Sequence, residues 1–178
     1  MKIVKYYKLF FILLSMSLSY NGLASEKLEE QKMNKRFGVG VAAAGPLSVL
    51  GLEFDVNITE QISVSGGLGT GLDYSTFTIK GKYFLLGDKV SPYFGVGLAR
   101  WWTDGTKETN LNPGVLKNKF LSGNDYSKGF DIWMIYPSIG VQYLHPMGIS
   151  FYAEAQALFK IPNLANGTYA GLGSIIYF

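Results

Sequence analysis

An alternation of apolar residues with small or polar ones runs from Arg36 to Phe178 and constrains the fold more than any other feature of the chain. Segment 47–58 is the clearest case: its apolar residues are Leu50, Leu52, Phe54, Val56 and Ile58, and between them lie Gly51, Glu53, Asp55 and Asn57. Successive side chains of a β-strand point to opposite faces, so this pattern predicts a strand with one apolar and one polar face. The sequence therefore predicts an all-β protein.

Eight segments of the chain carry this alternation, and most of them are joined by short turns. They span residues 36–43, 47–58, 62–72, 76–86, 92–102, 131–144, 149–160 and 167–178. Strands that cross a bilayer in a closed barrel are tilted and need about 9 to 11 residues each. An even number of strands also allows an antiparallel barrel to close. We therefore expect an eight-stranded antiparallel up-and-down transmembrane β-barrel.

The second face of these strands separates a membrane barrel from a soluble β-sandwich, whose strands also alternate. A sandwich carries Lys, Glu and Thr on its outer face, whereas the non-apolar face here is mainly Gly, Ala and Ser with a few charges, which suits a narrow lumen. Aromatic residues near predicted strand ends suit a bilayer boundary: Tyr83, Trp102, Trp133, Tyr143, Phe151, Phe159 and Phe178. A soluble sandwich or lipocalin-like barrel with a binding cavity remains the alternative.

The N-terminus has the features of a secretory signal peptide. It begins with a basic stretch, continues through mainly apolar residues 9–18, and ends in the small-x-small sequence Gly22-Leu23-Ala24. The apolar stretch is shorter than the ~20 residues that a membrane anchor needs. We therefore predict that residues 1–24 are removed on export. Residues 25–35 are then a charged periplasmic N-terminal tail, either solvated or a short frayed helix, ahead of a barrel at 36–178.

Removal of the signal peptide leaves a neutral chain. Three of the 16 basic residues lie in the signal, so 13 basic and 13 acidic residues remain. A neutral chain gives no reason to expect nucleic acid as a partner. The sequence also contains no cysteine, so the exported protein must be stable without disulfides.

Four stretches of the sequence resemble a known family. These stretches, EFDVNITEQISVSGG, KGKYFLLGDKVSPYFGVGLA, PSIGVQYLHPMGISFYAEAQ and the terminal GSIIYF, are similar to the small outer-membrane β-barrel family that includes the OmpA transmembrane domain and OmpX. The resemblance covers 36–178 and implies a protein of the Gram-negative cell outer membrane, in contact with its lipid and lipopolysaccharide. It does not extend to the peptidoglycan-binding domain of OmpA, so a cell-wall tether is not expected.

The resemblance also implies a role for the last strand. In this family a terminal aromatic residue is the signal to the outer-membrane assembly machinery. Phe178 occupies that position here, and Ile176 lies on the same face of the strand. We therefore expect Phe178 and Ile176 to form the assembly signal.

Charged residues on the predicted inward face form a candidate lumen charge network: Glu53, Asp55, Lys80, Lys82, Arg100 and Glu154. Strict alternation puts Arg100 on the outward row, so a bulge or the end of the strand would have to turn it inward. An unpaired charge in an enclosed lumen is costly, so we expect Glu53 and Glu154 to pair with Lys80 and Lys82. Such pairs would plug the barrel; the alternative is a narrow, low-conductance, porin-like pore.

The sequence offers no candidate for catalysis, for a metal or for another cofactor. The single histidine of the sequence, His145, lies in a predicted periplasmic turn, and the sequence contains no cysteine that could bind a metal. The glycine-rich run 66–71 lies inside a strand pattern with no helix after it, so it does not predict a phosphate loop. We expect no enzyme activity.

The segment 103–130 is the one long connection, and loops of this length usually have a function or are disordered. Its best contact candidates are Lys117, Lys119, Phe120 and Tyr126. These residues indicate a structural or adhesin-like surface role, with an extracellular or host ligand as a possible partner. A surface loop without a dedicated ligand remains open.

Overall fold

The computed structural model describes residues 28–71, 74–85, 89–103 and 129–178. The predicted signal peptide and the four contact candidates of the long loop lie outside these residues. Within them the chain forms one α-helix, α1 (Leu28–Asn34), a 3₁₀ turn (Gly45–Leu47) and eight strands. The strands are β1 (Phe37–Ala44), β2 (Leu50–Asn57), β3 (Ile62–Thr70), β4 (Ser75–Phe84), β5 (Val90–Thr103), β6 (Phe130–Leu144), β7 (Ile149–Ile161) and β8 (Asn166–Tyr177).

The eight strands form a closed barrel in sequence order. Each strand pairs antiparallel with the next, and β8 pairs back onto β1, with Gly38 opposite Tyr177 and Ala44 opposite Gly171. The main chains of Phe37 and Phe178 exchange two further hydrogen bonds at this seam. Closure pairs the strand edges that an open sheet would leave free. The predicted eight-stranded up-and-down barrel is confirmed.

Every second residue of the strands faces outward, and most of these residues are apolar. In β2, for example, Leu52 is 57% exposed whereas the neighbouring Glu53 is 2% exposed. The outward row of β5 consists of Val90, Pro92, Phe94, Val96 and Leu98, followed by Arg100. At about 3.3 Å per residue and a tilt of about 40°, the apolar residues of this row rise roughly 20 Å along the axis, close to the ~25 Å apolar band of transmembrane barrels. An exposed apolar band of this kind is suited to contact with membrane lipid.

The barrel has two ends, which are named here by what they carry. The terminal end carries residues Phe37 and Phe178 and the turns 58–61 and 145–148. The opposite end, here called the loop end, carries the connections after β1, β3, β5 and β7. No helix in the described part of the chain is long and apolar enough to span a membrane.

The loop end of the lumen is filled by the 3₁₀ turn and by aromatic residues. Pro46 and Leu47 are buried, and the indole Nε1 of Trp101 donates a hydrogen bond to the Pro46 carbonyl at 2.7 Å. An added Cβ at Gly67 would lie 2.9 Å from Leu47 Cδ1. The glycine-rich run 66–71 thus provides space for the turn that folds inward. The side chains packed below it are Tyr74, Ala99, Trp101, Phe130, Ile132, Met134, Tyr136 and Leu158.

The segment ahead of the barrel differs from a solvated tail. Residues 28–34 form helix α1, as one of the two expectations for 25–35 had it, but Gln31 and Lys32 are buried. The helix lies across the terminal end of the barrel, because Gln31 and Lys35 both bind the turn 145–148. A short charged helix therefore covers one mouth of the lumen.

Candidate functional site

Five charged side chains meet in the middle of the lumen. Glu53 and Asp55 come from β2, Lys80 and Lys82 from β4, and Glu154 from β7, each at an inward position of its strand. All five are at least nine-tenths buried. Burying charges in this way is unfavourable unless each has an opposite charge or a hydrogen bond close by.

The five charges form two groups. Lys80 Nζ lies 2.7 Å from Glu154 Oε1 and 2.9 Å from Oε2, which ties β4 to β7 across the lumen. Lys82 Nζ lies 2.5 Å from Asp55 Oδ2 and 3.4 Å from Glu53 Oε1. The structure thus pairs each inward lysine with at least one carboxylate, and one lysine is shared by two.

Tyrosine hydroxyls donate further hydrogen bonds to two of the three carboxylates. Tyr152 donates to Glu53 Oε2, and Tyr93 donates to Glu154 Oε2 at 2.9 Å. Gln156 Nε2 donates to Glu154 Oε1 at 2.6 Å. Sequence reasoning gave these residues no role, although Tyr93 and Tyr152 fall on the inward rows. A tyrosine at an inward position of a charged lumen was the signal that could have identified them.

The network leaves little open space. The cavity beside it has about 20 Å³ of free volume, enough for about one water molecule. Its lining includes Glu53, Thr78, Tyr136 and Gln156. Thr78 and Tyr136 share a hydrogen bond of 2.5 Å above the ion pairs. The arrangement therefore fills the cross-section of the barrel with mutually bonded side chains.

Arg100 does not belong to this network, contrary to expectation. The β4–β5 and β5–β6 registers are continuous, so no bulge turns Arg100 inward, and it stays on the outer row opposite Phe77 and Trp133. Its Nε and Nη2 donate to the two oxygens of Asp131 at 2.9 and 2.7 Å. The guanidinium also lies 5.2 Å from the ring centroid of Trp102 and 5.5 Å from that of Trp133. Because Arg100 has its carboxylate partner, Asp131, on the outer face, its side chain does not turn into the lumen.

Lys32 is the buried basic residue that sequence reasoning missed. Among the described buried residues, the strands provide three carboxylates and two ammonium groups, which leaves one negative charge. Lys32 is the further buried basic residue, and α1 brings it to the terminal end of the lumen over the ring of Phe84. The two-residue alternation could not identify Lys32, because Lys32 precedes the first strand.

The carboxylates are committed to lysines and tyrosines, so they are not arranged as metal ligands. No group of three or more His, Cys, Asp or Glu residues that could hold a metal ion occurs in the described ranges. His145 lies in the turn after β6, where its Nδ1 accepts a hydrogen bond from the Met147 amide at 3.2 Å. The geometry therefore suits a structural network.

The residues expected to signal assembly lie on the outer surface at the terminal end. Phe178 is 68% exposed and Ile176 is 58% exposed. Ile176 is opposite Val39 of β1 and Ile149 of β7, so it lies at the seam where the barrel closes. Both side chains are accessible from outside the folded barrel.

No protein-family model and no curated protein sequence matches the chain. Among solved structures, it is similar to the N-terminal β-barrel domain of Pseudomonas aeruginosa OprF, at 17% identity and a TM-score of 0.57, over 81% of this chain and 99% of that domain. A second similar structure is the Yersinia pestis outer membrane protein Ail in a phospholipid bilayer nanodisc, at 14% identity and a TM-score of 0.45, again over 81% of this chain and 99% of that one. With its eight strands closed in sequence order and its likeness to the OprF domain, the chain has the fold of a small OmpA-like outer-membrane β-barrel.

Proposed function

We propose that this protein is an integral outer-membrane protein whose filled barrel acts as a structural and surface-interaction scaffold. The observation that carries the proposal is the contrast between the two faces of each strand. The outer face is an apolar band roughly 20 Å high, and the inner face carries paired charges. The signal-like residues 1–24 and the likeness in fold to the OprF domain support export to that membrane.

The orientation that we propose puts the terminal end in the periplasm and the loop end outside the cell. Short turns then face the periplasm, as in barrels of this type, and the connection 104–128 is external. Within it, Lys117, Lys119, Phe120 and Tyr126 are the proposed contacts for an extracellular or host ligand. Lipopolysaccharide and lipid are the proposed surroundings of the barrel wall.

Assembly is the second part of the proposal. Phe178 and Ile176 are exposed on the terminal end, which is the periplasmic end in the proposed orientation. An exposed terminal aromatic can be bound by the assembly machinery without opening the barrel. This accessibility supports Phe178 and Ile176 as the assembly signal.

The location is tested by membrane fractionation and gel migration. We expect the expressed protein in the outer-membrane fraction, with an unboiled form that migrates differently from the boiled one, because a closed barrel resists detergent until it is heated. Replacing the outward Leu52 by Lys should reduce the folded fraction, because charge on a lipid face costs about 2 to 4 kcal/mol near the midplane. A soluble protein without a migration shift would contradict the proposal.

A narrow pore is the other candidate role. The wild type and one loop-deletion variant together distinguish a pore from a surface-interaction scaffold. We expect wild-type protein in planar bilayers to show no steady conductance, because the Lys80–Glu154 pair and Tyr93, which binds Glu154, cross the lumen. A variant without residues 107–126 should remain closed but lose binding to cells or matrix. Large steady currents from the wild type would favour the pore, and unchanged binding by the deletion variant would contradict the surface role.

A further inference from the structure

Helix α1 and Lys35, the residue after it, are anchored to the terminal end of the barrel at three points. Gln31 Nε2 donates to the carbonyl of His145 at 2.5 Å, and Lys35 Nζ donates to the carbonyl of Pro146 at 2.9 Å. From the barrel wall, Asn57 Nδ2 donates to the carbonyl of Lys35 at 3.2 Å. The segment is therefore held by both a turn and a strand.

The turn that receives the segment is shaped for it. Gly148 has φ of 90°, in the left-handed region, and an added Cβ there would lie 3.1 Å from Lys35 Cδ. Its carbonyl accepts a hydrogen bond from the Tyr177 amide at 2.8 Å, which ties the turn to β8. A glycine at this position lets the turn, the last strand and Lys35 pack together.

Lys32 is the part of the segment that enters the lumen. Its side chain is 1% exposed, and Nζ lies 2.9 Å from the centroid of the Phe84 ring. No hydrogen-bond acceptor for Nζ occurs among the residues that the structure describes. The nearby Asp55 attracts the ammonium, but its Oδ2 is already bound to Lys82, whose own charge repels Lys32.

Loss of water around the amine outweighs this attraction. A buried ammonium without a hydrogen-bonded partner is disfavoured relative to the neutral amine. Burial lowers the pKa of Lys32 from 10.5 to about 7, Asp55 opposes this change, and Lys82 adds to it. The docked segment therefore favours the neutral form of Lys32, whereas the free segment in water favours the charged form.

We propose that residues 28–35 form a plug for the terminal mouth of the barrel, and that its docking is coupled to loss of a proton from Lys32. The plug is a segment of this chain, and its receptor is the lumen mouth formed by Asp55, Phe84 and the turn 145–148. The coupling between docking and proton loss does not require the outer-membrane location proposed above.

The direction of the pH dependence follows from the two states of Lys32. The docked pKa is depressed below the free one, so docking is weakest where both states are protonated, strengthens as pH rises above the docked pKa because docking then releases a proton, and levels off once the free segment is also deprotonated. Below about pH 7 the docking constant should be flat, and between about pH 8 and pH 10 it should rise about tenfold per pH unit.

Five other titratable groups surround the site of Lys32. Asp55 on β2 and Lys82 on β4 act on Lys32 directly, Tyr93 on β5 and Tyr177 on β8 act on Lys82, and His145 belongs to the turn that binds Gln31. Their contribution has to be separated from that of Lys32. Substitution of Lys32 itself does this, because all five groups remain in place.

Amide hydrogen exchange of residues 31–35 in the full folded chain measures docking, once the intrinsic exchange rate at each pH is divided out. The wild type should be flat from about pH 6 to about pH 7 and gain about tenfold protection per unit above about pH 8. Lys32→Met keeps a long side chain without charge, so its protection should not vary with pH. Lys35→Met should lower protection at every pH but keep the slope, and His145→Gln should also keep it.

Two results would overturn the coupling. One is wild-type protection that stays constant from about pH 6 to about pH 9.5, and the other is a Lys32→Met profile with the wild-type slope. Heat-modifiable migration shows that each variant is folded before exchange is measured. The wild-type profile is decisive even if a variant fails to fold.

Discussion

Lys82→Ala should lower the free energy of unfolding by about 3 to 5 kcal/mol, because it leaves buried carboxylates without the cation that they share. Lys82 Nζ contacts both Asp55 Oδ2 and Glu53 Oε1, and all three side chains are at most 3% exposed. Urea unfolding in lipid or detergent, followed by loss of the fast-migrating folded form, measures the change.

Two matched variants show whether the burial of the pair is responsible. Arg100→Ala breaks the outer pair with Asp131, whose side chains are 39% and 49% exposed, and should have a much smaller effect. The triple variant Glu53→Gln, Asp55→Asn, Lys82→Met removes the unpaired charges and should recover much of the stability that Lys82→Ala loses. Equal effects of Lys82→Ala and Arg100→Ala would contradict a stabilising role of the lumen network.

Phe178→Ala should reduce the amount of barrel assembled in cells severalfold and change the stability of folded barrels far less. The substitution keeps both main-chain hydrogen bonds between residues 178 and 37. It removes an exposed ring, so the loss in lipid contact is at most about 2 kcal/mol. The folded fraction in the outer membrane and the urea midpoint of purified, refolded protein are the two measurements.

Phe151→Ala is the control for this substitution. Phe151 is another outward aromatic residue, 56% exposed, near the same end of the barrel but not at the C-terminus. We expect it to assemble at close to the wild-type level. If Phe178→Ala assembles normally, or if Phe151→Ala fails to the same degree, the ring of Phe178 is a lipid contact and not a signal.

Alternation along the sequence was sufficient to place the strands and their faces. A strand has a period of two whatever its neighbours are, so Glu53, Lys80 and Glu154 could be placed on the inner face without knowing the register. Which of them pair could not be predicted in the same way. Lys80 reaches Glu154 of β7 and Lys82 reaches Asp55 of β2, and these choices depend on how far each strand is staggered around the barrel.

For Arg100, the alternation pattern was correct and the prediction that its charge would turn it inward was wrong. Strict alternation placed it outward, but a basic residue in a lipid-facing row was expected to turn inward. Its partner Asp131 lies 31 positions further along the chain, beyond the long connection. Only the pairing of β5 with β6 brings the two together, next to Trp102 and Trp133 at the end of the apolar band.

The sequence by itself determined the strands and their two faces, because two-residue periodicity repeated over eight segments leaves on each an apolar face that lipid or a second sheet has to cover. The tertiary structure alone decided how the lumen is filled. Lys32 lies before the first strand, and the tyrosines that bind Glu53 and Glu154 come from β5 and β7. Contacts across a lumen join residues far apart in the chain, and their geometry exists only after the eighth strand has closed against the first.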